Sequence, residues 1–220
     1  MSSHEIRIDR SKTLLEEPAT GHNRWHPDIP PVVRCEPGDE VVMETRDALD
    51  GQAGPGVTAD ALAAPNLDVV HPLTGPVYVE GAEPGDLLAV EILGIEPDSY
   101  GFTVQLPGFG FLRDEFPEPF KVDWDIADGW ATSAGLPGVR IPGSPFMGTI
   151  GLPPGRELLA ATIASAVTPG PACPSRASRV SITTSSPGTQ RTTGGMSGCH
   201  RLWPVAGSSS SVLLLSILIS

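Results

Sequence analysis

The chain has 220 residues, of which 26 are acidic and 14 are Lys or Arg, and its formal net charge is −12. Nucleic acid and anionic membranes repel a chain this acidic, so the charge argues against binding to a phosphate backbone and favours a small neutral partner. The length is typical of one or two domains, and the acidic part alone is long enough to bury a core.

The charge divides the chain into two parts. All acidic residues lie at or before Glu157, whereas residues 158–220 have none and are rich in Ser, Thr and Pro. We therefore expect a folded domain over residues 1–157 and, over residues 158–220, an unstructured or misfolded tail that is disordered or translated out of frame.

No targeting or membrane segment is predicted. The N-terminus lacks the apolar run of a secretory signal, and the apolar run at residues 212–219 is far shorter than the roughly 20 residues of a membrane helix. Cys35, Cys173 and Cys199 have no CxxC spacing, which favours a reducing compartment. These features indicate a cytoplasmic protein with no membrane or nucleic-acid partner.

Residues 22–31, HNRWHPDIPP, concentrate polar and aromatic side chains near the N-terminus. His22 and His26 share one side of either a strand or a helix, but three prolines make a continuing helix unfavourable, so the pair is not the HExxH motif of zinc proteases. The segment is either an active-site wall that hydrogen-bonds a substrate or metal, or a proline-braced loop whose Trp25 packs and whose Asp28 caps backbone amides. The residues alone favour neither alternative.

Two copies of the sequence EPGD, at residues 36–39 and 83–86, indicate β structure. Pro and Gly suit the two central positions of a type II turn, and each copy precedes an apolar stretch, at residues 40–45 and 87–92. We predict a strand after each turn.

Asp47 and Asp50 follow the first of these predicted strands, where the chain changes direction. Asp50 precedes Gly51, and Asp-Gly is ordinary turn chemistry, so we interpret Asp50 as a turn residue. Asp47, at a strand end, is the better candidate for activating water or binding a cation.

His71 and Glu80 lie at opposite ends of one turn-strand unit, residues 71–86. A buried Glu80 beside His71 would act as a general base whose pKa desolvation raises. The alternative is a surface carboxylate at a strand end, and the sequence does not separate the two.

Further strands are predicted at residues 76–79, 100–106 and 139–141, with a loop of small residues over 51–64. Frequent Pro and Gly and the absence of sustained helical periodicity make long helices unfavourable. We predict a mainly β domain, an antiparallel β-sandwich of the jelly-roll type.

Several of these segments together resemble the acetamidase/formamidase family. They are HNRWHPDIPP at residues 22–31, ETRDALDGQ at 44–52, HPLTGPVYVEGAEPGDLL at 71–88, PGFGFL at 107–112 and GTIG at 148–151. The likeness spans about residues 4–160 in the family's order, and the form HNRWHPDIP is similar to the formamidase branch.

The resemblance implies hydrolysis of a short aliphatic amide, formamide or acetamide, to a carboxylate and ammonia. It also implies a β-rich homo-oligomer whose substrate is a small neutral amide, and it allows for a divalent metal such as zinc. An amide carbon is a poor electrophile, so such a site must both activate water and stabilise an oxyanion.

The resemblance, combined with the residue types, assigns roles to seven side chains. We expect catalytic roles for Asp47, Glu80 and His71, and metal binding, if a metal is present, by Asp47 and Glu80. We expect substrate binding by His22, Asn23, His26 and Gln52.

One departure from the family is informative. Members continue well beyond 220 residues and carry segments like REHGGNxD and GDxHxxxGDGE in their second half, and neither occurs here. We expect a frameshift between residues 157 and 166, and a truncated, inactive chain. The competing hypothesis is a non-catalytic β-sandwich module that binds a small ligand or a partner.

Overall fold

The computed structural model describes residues 1–167 and 213–218, which form three β-sheets and one α-helix. The strands are β1 (Ser3–Ile6), β2 (Gly21–His22), β3 (Val33–Cys35), β4 (Glu40–Met43), β5 (Leu73–Val79), β6 (Tyr100–Gln105), β7 (Phe120–Ala127), β8 (Trp130–Thr132), β9 (Arg140–Pro142), β10 (Met147–Gly151) and β11 (Leu213–Leu218). The helix α1 is Arg156–Val167, and short 3-10 helices occur at Pro18–Thr20 and Asp60–Leu62. The prediction of a mainly β chain is confirmed.

β5 is the central strand of the five-stranded sheet. It pairs antiparallel with β2 and parallel with β3 and β11, and β10 pairs parallel with β11. The first five residues of β5 are buried, which fits an apolar strand with neighbours on both sides. β1 and β4 form a separate parallel pair.

β6 to β9 form the four-stranded sheet, an antiparallel meander. Val122 and Trp124 of β7 are buried, whereas Lys121, Asp123 and Asp125 alternate with them and point to the other face. The predicted antiparallel pairing is found here, while the sheet around β5 is mixed. The packing of the sheets as a sandwich stays a prediction.

Both EPGD segments form the predicted turns. Asp39 N–H donates to the Glu36 carbonyl at 3.1 Å and Asp86 N–H to the Glu83 carbonyl at 3.0 Å. Only the first turn leads into a strand, β4. The predicted strand at residues 87–92 is wrong, because that stretch has no ladder partner among the described residues.

Two parts of the predicted tail have regular structure: α1 extends to Val167, and β11 lies between β5 and β10. The rest of the tail lies outside the described residues. Within residues 1–167 and 213–218, no helix has the length and apolar character needed to cross a membrane.

Candidate functional site

Three of the predicted site residues lie on segments that meet at the first residues of β5. His22 of β2 pairs with Leu73, the residue that opens β5. The backbone N–H of His71, two residues earlier, donates to the carbonyl of Ala48 at 2.9 Å, next to Asp47. The fold thus places the segments of His22, Asp47 and His71 at one end of the central strand.

His22 is buried, and its burial determines the protonation state of the imidazole. Its ring makes an edge contact with Trp25, with ring centroids 5.7 Å apart. Burial lowers the pKa of His22 to about 4, and the Arg24 backbone opposes this only partly. His22 is therefore neutral near pH 7 and acts as a hydrogen-bonding imidazole, not as a cation.

Asp47 caps the turn that follows β4. Its Oδ1 accepts the Leu49 N–H at 2.9 Å and its Oδ2 accepts the Gly51 N–H at 2.7 Å. Burial raises the pKa of Asp47 and the charge of Asp50 adds to this, while the two backbone hydrogen bonds oppose it. A carboxylate with a raised pKa is a suitable proton acceptor, and each oxygen still has a lone pair for another donor.

Asp50 lies in the turn, as its Asp-Gly sequence indicates, with φ of 55°. It is 4% exposed, and its carboxylate accepts the Leu14 N–H at 2.9 Å. Arg46 is also buried, with its Nε 4.0 Å from Asp50 and its Nη2 2.6 Å from Glu17. This cluster fixes the N-terminal segment against the turn that carries Asp47.

The predicted substrate-binding amides both have backbone partners. Gln52 donates to the carbonyls of Leu49 and Asn66 at 2.8 and 3.1 Å and accepts the Asn66 N–H at 2.7 Å. Asn23 donates to the Asp68 carbonyl at 2.6 Å, and so does Arg24 at 3.1 Å. In this structure both amides hold the loops around the start of β5.

His26 lies in the proline-braced loop and is half exposed. Its Nδ1 accepts the Asp28 N–H at 3.1 Å, and the Asp28 carboxylate pairs with Arg156 at the start of α1. These contacts fit the alternative of a braced loop, but the Asp28 carboxylate ties the segment to Arg156 of α1 and does not cap backbone amides as predicted.

Glu80 lies away from His71, one residue beyond the far end of β5. Its N–H donates to the Cys35 carbonyl, and its carboxylate accepts Arg34 Nη1 at 3.1 Å, with 38% of the side chain exposed. A seven-residue strand is about 20 Å long. The structure thus favours the surface carboxylate over a buried base beside His71, and the catalytic role of Glu80 stays a prediction.

The described residues do not fit the predicted metal site. Asp47 and Glu80 lie at opposite ends of β5 and cannot bind the same ion in this arrangement. No three His, Cys, Asp or Glu side chains in residues 1–167 and 213–218 are close enough together to hold a metal ion.

A second polar cluster, which the sequence reasoning missed, lies on the meander sheet. The Tyr100 hydroxyl is 2.5 Å from Asp123 Oδ1 and 3.0 Å from the Ala53 carbonyl. Lys121 Nζ is 2.6 Å from Asp123 and donates to the carbonyls of Gly54 and Val57 at 2.9 and 3.0 Å. The sequence pattern that could have revealed this cluster is the two-residue spacing of Lys121 and Asp123, which places both side chains on one face of a strand.

These groups line a cleft of about 410 Å³ between the meander and the loop at residues 53–57. Burial, hydrogen bonding to Asp123 and the charges of Asp123 and Asp47 raise the pKa of Tyr100. Desolvation opposes ionisation of Asp123, but the bonds from Lys121 and Tyr100 outweigh it and lower the pKa of Asp123. Tyr100 is therefore a neutral donor near pH 7, close enough to Asp47 to respond to its charge.

The chain belongs to the acetamidase/formamidase family, because the family model matches residues 7–193. The chain is 39% identical over 166 residues to an acetamidase of Mycolicibacterium smegmatis and 41% identical over 160 residues to a formamidase of Methylophilus methylotrophus. Each match covers 70% of this chain and 41% or 39% of the relative. The chain thus spans about two fifths of the length of these relatives.

Solved structures support the same relationship. A gamma lactamase from Delftia acidovorans is 38% identical with a TM-score of 0.68, and the match covers 72% of this chain and 40% of that one. An acetamidase from Bacillus halodurans is 31% identical with a TM-score of 0.53, covering 59% of this chain and 43% of that one.

Proposed function

We propose that this chain is the amide-binding part of an amidohydrolase that acts on linear amides such as formamide or acetamide. The family membership and the names of the two curated relatives support the reaction class. The observation that carries the proposal is the meeting of the His22, Asp47 and His71 segments at the start of β5.

The chemistry of these groups suits the reaction. Water must lose a proton as it attacks the amide carbon, and Asp47, whose pKa burial raises, is our proposed proton acceptor. The amide oxygen and nitrogen need hydrogen bonds, and we assign these to neutral His22 and to His71. Asn23, His26 and Gln52 then contribute by holding the loops that carry these three groups.

We further propose that the 220-residue chain alone does not hydrolyse amides. The relatives have more than half of their length outside the match, so a complete site would draw on residues that this chain does not supply.

A chimera tests the assignment of residues. Residues 1–157 of this chain would replace the matched region of the M. methylotrophus formamidase. Ammonia release would be measured with formamide and acetamide, and ring opening to the amino acid would be measured with a γ-lactam. We expect release from the linear amides, and a loss of at least about a hundredfold in kcat in Asp47→Ala and His71→Ala. A folded chimera whose activity survives both substitutions would refute these roles.

Glu80→Gln in the same chimera tests whether Glu80 is a catalytic base or a surface carboxylate. Because Glu80 pairs with Arg34 at the other end of β5, we expect near-normal kcat. A loss as large as that of Asp47→Ala would restore Glu80 as a catalytic residue.

The cleft on the meander supports a second candidate, a module that binds a small ligand without turnover. Tyr100, Lys121 and Asp123 present a donor, a cation and a carboxylate to one cavity. Formamide titrated into the chain would shift the NMR signals of these residues under this hypothesis, while the chimera would release no ammonia.

A further inference from the structure

The two EPGD turns have the same local structure. Gly38 and Gly85 have φ of 91° and 108°, as a type II turn requires. In both turns the Asp carboxylate accepts the N–H of the Glu three residues earlier, at 3.1 and 2.9 Å. The chain therefore leaves both turns under the same local constraints.

The segments after the two turns differ. After the first, β4 pairs with β1 along its whole length. After the second, residues 87–98 form no strand, although their apolar pattern is as strong as that of β4, and regular structure resumes only in β6. The turn itself is formed, so what residues 87–98 lack, within the part of the chain that the structure describes, is a pairing partner.

Residues 87–93, which we name the open segment, expose an unusual amount of apolar surface. Leu87 is 96% exposed, Leu93 69%, Ile92 53% and Val90 44%. In an extended chain, Leu88, Val90 and Ile92 share one face, and Leu87 and Leu93 lie on the other together with Glu91. A strand with large apolar side chains on both faces is typical of a sheet interior, with neighbours on each side.

We propose that the open segment is a docking site for a β-strand from the part of the family chain that lies outside the match. The relatives have more than half of their length there, which is enough chain to cover this segment. The inference does not depend on amide hydrolysis, because it concerns only backbone pairing and apolar burial.

The acidic residues in and around the open segment disfavour a second copy as its occupant. Residues 86–98 carry Asp86, Glu91, Glu96 and Asp98 and no Lys or Arg. Glu91 lies within the open segment and the other three carboxylates flank it, so two copies paired here would bring acidic stretches together, and like charges on adjacent strands destabilise the pairing.

Co-expression tests the proposal. The full 220-residue chain would be produced with a tagged polypeptide comprising the part of the M. smegmatis acetamidase outside the match, and the complex would be isolated by the tag. We expect a 1:1 complex in which amide exchange of residues 87–93 slows at least about tenfold relative to the chain alone.

Two variants locate the interface. Val90→Asp combined with Ile92→Asp puts charge on the shared face, and we expect it to abolish the complex. Leu15→Asp, at a side chain that is 73% exposed but outside the segment, is the matched control and should leave the complex intact. Circular dichroism of each isolated variant checks that the chain still folds.

Four results would overturn the inference. The two polypeptides fail to co-purify, or the complex forms without slowing amide exchange of residues 87–93. The complex still forms with the Val90→Asp and Ile92→Asp double variant, or a dimer of the 220-residue chain protects the open segment, which would make a second copy the occupant.

Discussion

Arg46 is the residue on which the N-terminal segment depends most. Its guanidinium is 7% exposed and lies between the carboxylates of Glu17 and Asp50, and Asp50 also accepts the Leu14 N–H. Removal of one member of such a buried group leaves the opposite charges without compensation, which costs far more than the loss of a surface pair.

We expect Arg46→Ala to lower the free energy of unfolding by about 3 to 5 kcal/mol. Urea denaturation followed by circular dichroism measures the change. Arg7→Ala is the control, because Arg7 pairs with Glu5 and Glu44 at the surface, and it should barely move the midpoint. Equal effects of the two substitutions would show that the Arg46 cluster is not buried in solution.

His22 gives the chain a specific acid sensitivity. Its folded pKa of about 4 is below its ordinary value of 6.5, so between these pH values the unfolded chain binds a proton that the folded chain does not. Stability is therefore lost as the pH falls from 6.5 to 4, by about 3 kcal/mol in all. Urea midpoints of the wild type and His22→Gln across this range isolate the contribution; parallel pH profiles would contradict it.

At the residue scale, the sequence predicted where polar side chains concentrate but not which partners they bind. The strand-end position predicts a functional role for Asp47, and the family resemblance predicts one for Gln52, but the partners of both are N–H and carbonyl groups of the surrounding loops. Binding a substrate and bracing a loop require the same kinds of polar side chain, so residue type alone does not distinguish the two roles. The Tyr100, Lys121 and Asp123 cluster was missed because it forms only when two strands and a loop come together.

At the scale of elements, Lys121 links the loop at residues 53–57 to the meander. Its side chain is 4% exposed and binds two loop carbonyls and Asp123. We expect Lys121→Met to cost about 2 kcal/mol, since hydrogen bonds to a charged group are lost, and to speed amide exchange across the loop. Lys12→Met, which changes a half-exposed side chain, is the control. Unchanged amide exchange of the loop in Lys121→Met would refute the proposed link between the loop and the meander.

β11 is the element on which β10 depends. Within the described residues, β10 pairs with β11 alone, and β11 lies between β10 and β5. Deletion of residues 213–220 should therefore remove amide protection from residues 147–151 and leave the meander at residues 100–142 unchanged. Amide hydrogen exchange followed by mass spectrometry measures this protection. Protection of residues 147–151 that persists after the deletion would contradict the pairing of β10 with β11.

The sequence predicts those elements that depend on neighbouring residues in the chain. Both Pro-Gly turns, β4, β6 and β9 occur where the turn signals and apolar runs place them. The parallel pairing of β3 and β11 with β5 depends on segments distant in sequence, which no local pattern encodes. Residues 87–92 show the same limit, because a strand also needs a neighbour, and the described chain supplies none.

At the scale of the whole molecule, the described residues bury several small clusters instead of one large core. Leu49, Leu62 and Val70 form one, Ile6 and Val77 belong to another, and the meander has its own. Large apolar side chains remain exposed at the same time, among them those of the open segment. Both features fit a chain that spans two fifths of its relatives.

The most direct test of the proposed function is ammonia release from formamide by the purified 220-residue chain. We expect no release above the buffer blank, while the chimera with the remainder of the M. methylotrophus formamidase releases ammonia under the same conditions. Release that rises with the concentration of the 220-residue chain and disappears in Asp47→Ala would contradict the proposal, because the groups at the start of β5 would then suffice for the reaction.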